Sequence, residues 1–99
     1  MDEIRADYDA LEQIAGQFAA QSQAIQELLQ NVKGSMDPLM GGGWIGEGSD
    51  AFYSEMEGVA IPATQRLQQA MDEACNVTRQ IMQTIKQAEE DASAPFSAN

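Results

Sequence analysis

Two long apolar seams at helical spacing, joined by a glycine-rich stretch, constrain this chain more than any other feature of it. Along residues 4–39 the seam runs Ile4, Tyr8, Leu11, Ala15, Phe18, Ser22, Ile25, Leu29, Val32, Met36 and Leu39, in alternating steps of four and three. That is the period of a helix with one apolar stripe. Ile14 and Leu28 widen the stripe to a face, as in a bundle helix. Glutamines at 13, 17, 21, 23, 26 and 30 fill the opposite side; glutamine forms helix well and is readily solvated. Gly16 and Gly34 weaken this arm, each by up to ~1 kcal/mol against alanine. Pro38 disfavours helical geometry in the residue before it, which predicts an end near Asp37.

The second seam runs Phe52, Met56, Val59, Ala63, Leu67, Ala70, Ala74, Val77, Ile81, Ile85 and Ala88. Ser49 is a candidate N-cap, with Asp50 adding negative charge at the positive end of the helix. Pro62 removes one backbone donor and predicts a kink near Gly58–Val59. The seam keeps its face across Pro62, so one bent helix is expected. The expected organisation is a single all-α domain over residues 1–92: a helix over about 3–37, a turn over 38–48 and a helix over about 49–91. Residues 93–99, "SAPFSAN", have no periodicity and are expected to be disordered.

Two arms joined by a short return make an antiparallel helical hairpin. Such a hairpin leaves much of each apolar face wet, and chains this short commonly need a staple. The single Cys75 provides no internal disulfide; it reads as a buried core thiol, with an intermolecular disulfide as the alternative. Oligomerisation is the remaining staple, and two hairpins face to face give a four-helix bundle. Leu11, Phe18, Ile25, Leu29, Val32, Met56, Val59 and Leu67 are the expected dimer-interface residues.

The chain has 16 acidic and 5 basic residues, a net charge of -11, and no histidine. The charge opposes binding to nucleic acid, which needs Lys and Arg to displace counterions, and opposes docking on anionic lipid. The acidic, glutamine-rich polar faces also lack the Lys and Arg of membrane-active helices, so no intrinsic membrane insertion is expected. Without histidine there is no Ser-His-Asp or Cys-His device and no His-ligated metal. No enzyme activity, cofactor or metal is expected. The N-terminus "MDEIRADYDA" has no apolar run, so no cleaved signal peptide is expected, and no stretch has the ~20 apolar residues of a membrane span.

The joining stretch "GGGWIGEGSD" holds the only tryptophan, Trp44. Gly41, Gly43 and Gly46 match G-x-G-x-x-G, but a helical pattern precedes them and no parallel strand pattern surrounds them. Glu47 stands where a phosphate loop needs lysine. Asn76-Val77-Thr78 is a glycosylation sequon only by letter, inside a helical pattern. Glu89, Glu90 and Asp91 read as a solvated helix end. Glycine permits a tight reversal, and Trp44 is an amphipathic ring suited either to plug the bundle end or to anchor a partner.

The length, the two helical seams and Trp44-Ile45-Gly46 at mid-chain resemble the hundred-residue WXG family of type VII secretion substrates. The resemblance covers nearly the whole chain. It implies a folded dimer, homodimeric or with a related WXG-type chain, exported without a cleaved signal by a secretion ATPase. It also implies that Trp44 and Gly46 form half of a bipartite export signal. The other half in the family is Tyr-x-x-x-Asp/Glu near the end of the second helix, set beside the turn of the partner chain. Here the matching positions are Ile85 and Glu89, with isoleucine in place of tyrosine. Either a partner chain supplies the tyrosine or the system reads a looser signal. The competing expectation is a cytosolic helical adaptor with no export role.

Overall fold

Asp7 opens the first helix. In the computed structural model, which describes residues 7–97 (side chains to 94), Asp7 is extended and its carboxylate accepts the Ala10 N–H at 3.0 Å. This cap satisfies one of the unpaired donors at the helix start. Helix α1 (Tyr8–Pro38) therefore begins five residues after the position expected from periodicity, and Ile4 lies outside the described residues.

The other end also differs from expectation. The helix does not stop at Asp37; Pro38 has φ -64° and ψ -32°, and Leu39 is helical as well. Proline's fixed φ is itself a helical value, so what is lost is one bond to the carbonyl four residues back. That residue is Gly34, which is exposed and open to water. The helix unwinds instead in a wide turn, Leu39–Gly43, where Gly42 takes φ 133° and the Trp44 N–H reaches the Leu39 carbonyl at 3.0 Å.

The second arm comprises α2 (Glu47–Glu55), a wide turn Met56–Ala60, and α3 (Ile61–Ser97). Gly46, not Ser49, is its N-cap. Ser49 lies one turn inside, 1% exposed, and its hydroxyl donates to the Gly46 carbonyl at 2.9 Å. Glycine at 46 lets the chain enter the helix earlier, with Glu47 and Asp50 both in the favourable first turn. The wide turn holds Gly58 and Val59, where Pro62 predicts the irregularity, and Ile61 N–H bonds to the Met56 carbonyl five residues back. On a regular helix Tyr53 and Ile61 would stand about 80° apart. The extra residue takes out about 100°, so both face α1. At the far end α3 continues to Ser97, where disorder was expected over 93–99. Ala92 and Ala94 are strong helix formers, and extending a helix requires no new nucleus.

The arms pack as an extended hairpin measuring 78 × 21 × 18 Å, with no strand among the described residues. Its main core is short. Leu29, Met36, Tyr53 and Ile61 are buried together, with Ile25, Val32 and Met56 packed on them. Further along, among the described residues, only Ala15, Ser22 and Cys75 are buried. Cys75 is a free thiol enclosed between the arms, as the core reading expects, and is not presented to a second chain.

Away from the turn, polar contacts join the arms. Arg79 bonds Glu12 at 2.7 Å, with both side chains about half exposed. The guanidinium hydrogen bond holds the Glu12 carboxyl below its ordinary pKa. The stability it contributes is therefore present above the ordinary carboxylate value and is lost as pH falls through the lowered one. Exposure to solvent keeps that contribution small. Beyond it, the Tyr8 hydroxyl donates to Glu89 at 2.6 Å.

The apolar residues of the second arm divide in exposure. Tyr53, Ile61 and Cys75, which lie off the expected seam, are buried and Met82 and Ile85 are half-buried, whereas the seam residues Phe52, Val59, Leu67, Val77 and Ile81 are between 41% and 54% exposed.

Candidate functional site: the Trp-x-Gly turn

Two glycines set the shape of the tip. Gly42 has φ 133°, and Gly46 has φ 135° with ψ -178°. The second pair lies in a region essentially restricted to glycine. A Cβ on Gly46 would meet nothing within 4 Å, so backbone conformation, not crowding, requires glycine there.

Between them, Trp44 is held by Tyr53. The Tyr53 hydroxyl donates to the Trp44 carbonyl at 2.8 Å, and the rings meet edge to face at 5.8 Å. Phe52 completes the cluster, 5.5 Å from Trp44 and 5.8 Å from Tyr53. Tyr53 is 8% exposed, whereas Trp44 remains 44% and Ile45 75% exposed. The tip thus fixes the backbone around Trp44 while leaving much of the indole open, a geometry suited to contact rather than chemistry. Among the described residues no group of His, Cys, Asp or Glu side chains is placed to hold a metal.

Tyr53 was not among the residues singled out from sequence. It stands seven residues, two helical turns, beyond Gly46, and that spacing was the available signal. Burial, and then the nearby Asp50 charge, raise its pKa above the ordinary 10.0. The stability linked to the protonated phenol is therefore full below the ordinary tyrosine value and lost as pH rises through the higher folded one. Tyr53→Phe should cost about 1 kcal/mol in denaturant unfolding, since it removes one hydrogen bond but keeps the ring. In the same variant the alkaline fall in stability should shrink.

The other expected signal residues lie far from the tip. Ile85 is half-buried, and Glu89 accepts from Tyr8. Some forty helical residues separate them from the turn, roughly 60 Å. One chain does not bring Trp44 and Gly46 together with Ile85 and Glu89. Of the expected interface residues, Leu29 is buried within the hairpin, Leu11, Phe18, Ile25, Val32 and Met56 are half-buried, and Val59 and Leu67 are exposed.

The described residues form an all-α hairpin that displays a half-exposed tryptophan on a glycine-locked turn. The chain belongs to the WXG100 family, proteins of 100 residues with WXG, which matches residues 3–90. This family is known for type VII secretion substrates, its members typically form dimers, and it is not an enzyme family. No curated protein and no solved structure matches the chain. No helix among the described residues is long and apolar enough to cross a membrane.

Proposed function

We propose that this chain is a small secreted effector or carrier, exported as a folded dimer by a type VII secretion system. The observation that carries this reading is the half-exposed Trp44 on its locked turn, in a family of secretion substrates. The turn of one chain and the C-terminal helix of its partner, at Ile85 and Glu89, form the composite signal that a secretion ATPase reads.

The unspent apolar surface supports the dimer. At about 100° per residue, Ile14, Phe18, Ile25, Leu28 and Val32 all fall on one flank of the buried Ala15 direction. Leu67, Val77 and Ile81 fall on the same rotational side of Cys75. In antiparallel arms, equal rotational sense puts both stripes on the same broad side of the hairpin. The accessible surface, 7260 Å², exceeds the roughly 5,500 Å² of a compact monomer of this mass. A second hairpin packed on that side, homologous or closely related, completes a four-helix bundle.

The test is fractionation of a culture of the native organism, with wild type and Trp44→Ala probed in cells and medium. Trp44 is half exposed, so the variant should remain helical while its extracellular fraction falls to the background of a lysis marker. Confinement of both proteins to the cells, with the secretion system expressed, would reject export and favour the adaptor reading.

A further inference from the structure

Near the tip, a groove of about 250 Å³ opens between the arms, lined by Lys33, Met36, Asp37, Met40, Glu57 and Ile61. Its floor is apolar, with Met36 and Ile61 buried and Met40 partly open. Its rim is ionic: Asp37 and Glu57 stand on opposite arms, with Lys33 on the α1 side. Past Met40 and Glu57 the concave surface continues to Ile45 and Asp50. From 37 to 57 the chain carries Asp37, Glu47, Asp50, Glu55 and Glu57, and no Lys or Arg.

The groove lies on the opposite flank of α1 from the exposed apolar side. Taking Leu29 as the inward direction, Leu28 and Val32 stand about 100° and 60° to one side. Lys33 and Asp37 stand about 40° and 80° to the other. Pairing through Leu28 and Val32 therefore leaves the groove open.

Charge decides what can occupy it. A second copy would bring the same carboxylates against Asp37 and Glu57, and like charges facing one another are disfavoured. An anionic lipid surface is repelled for the same reason. The chain's own C-terminal helix ends at the far end of a 78 Å rod and carries Glu89, Glu90 and Asp91. We propose that the groove docks a segment of a partner protein bearing an apolar side chain with Lys or Arg beside it. The apolar group seats on Met36, Met40 and Ile61, and the cation meets Asp37 and Glu57. Methionine suits this role because its unbranched thioether adapts to the shape it meets. The inference does not depend on export, and its test is made in vitro.

The probe is a synthetic amphipathic Leu/Lys peptide, titrated into the full chain carrying isotope-labelled methionine methyl groups. The expected result is saturable shifts at Met36 and Met40, with Met71 and Met82 along α3 unmoved. The same peptide with Glu for Lys, or Ser for Leu, should give neither shift. Asp37→Asn combined with Glu57→Gln should weaken binding roughly tenfold, as two partly exposed ion pairs are lost. Glu27→Gln with Glu73→Gln, which removes as much charge from the body of the rod, should leave affinity within about twofold. Shifts spread over all methyls, or equal losses in the two double variants, would mean general charge attraction and overturn the proposal. Absence of any shift overturns it also, as do Met36 and Met40 shifts that follow protein concentration alone, which would make a second copy the occupant. Circular dichroism on both variants separates lost binding from lost fold.

Discussion

Leu28→Asp and Leu29→Asp, one residue apart, are expected to fail in different ways. Leu29 is 7% exposed and belongs to the cluster with Met36, Tyr53 and Ile61. A carboxylate there has no cation among its core neighbours, and an uncompensated buried charge costs roughly 3–5 kcal/mol before the lost packing is counted. That is comparable with the whole stability of a small domain, about 5–15 kcal/mol. Leu29→Asp should lose its cooperative melting transition at every protein concentration. Leu28 is 54% exposed and stands on the side assigned to the second hairpin. Leu28→Asp leaves the intrachain core untouched, so it should keep helical circular dichroism yet sediment as a single chain. Folding and association are linked, so the wild-type melting temperature should fall on dilution, and that of Leu28→Asp should not. A Leu28→Asp protein that still sediments as a dimer would remove the broad apolar side as the interface. One that unfolds like Leu29→Asp would mean the hairpin has no stability of its own.

The sequence made the two arms legible because a sustained stripe with period near 3.6 has few other solutions. It did not reveal which apolar residues of the second arm face inward. That choice turns on the wide turn at Met56–Ala60, whose extra residue rotates everything before it. Phe52 and Val59 lie on the apparent stripe, yet Tyr53 and Ile61 are the residues buried against Leu29 and Met36. The helix ends were misplaced for local reasons. Asp7 caps later than the stripe suggests, Pro38 is tolerated because its lost partner, Gly34, is exposed, and Gly46 displaces Ser49 as the N-cap. At the tip, Trp44 and Gly46 stand out by composition alone. Tyr53 does not, because its contribution comes from a bond to a backbone carbonyl, which no side-chain pattern displays.

Gly46→Ala is expected to disable the turn while leaving Trp44 in the chain, and Gly41→Ala is expected to do nothing of the kind. Both sites are open, with nothing within 4 Å of an added Cβ, so neither substitution creates a clash with a neighbour. They differ in the backbone. Gly46 holds φ 135° and ψ -178°, where an alanine is strained by about 1–3 kcal/mol, whereas Gly41 has no positive φ. Alanine at 41 restricts the unfolded chain and should be neutral or stabilising by up to ~1 kcal/mol. At 46 the strain is relieved only if the turn re-forms. The carbonyl of Trp44 then leaves the Tyr53 hydroxyl, and the indole loses its edge contact. Unfolding by denaturant should show the energy difference. The emission of the single tryptophan should move in Gly46→Ala and stay in Gly41→Ala. If the composite signal is read as proposed, the extracellular fraction of Gly46→Ala should fall with that of Trp44→Ala. Equal behaviour of the two alanine variants in all three measurements would separate recognition from turn geometry. The opposite result would give the third position of Trp-x-Gly a physical meaning: the glycine is required by a backbone conformation that presents the tryptophan two residues before it.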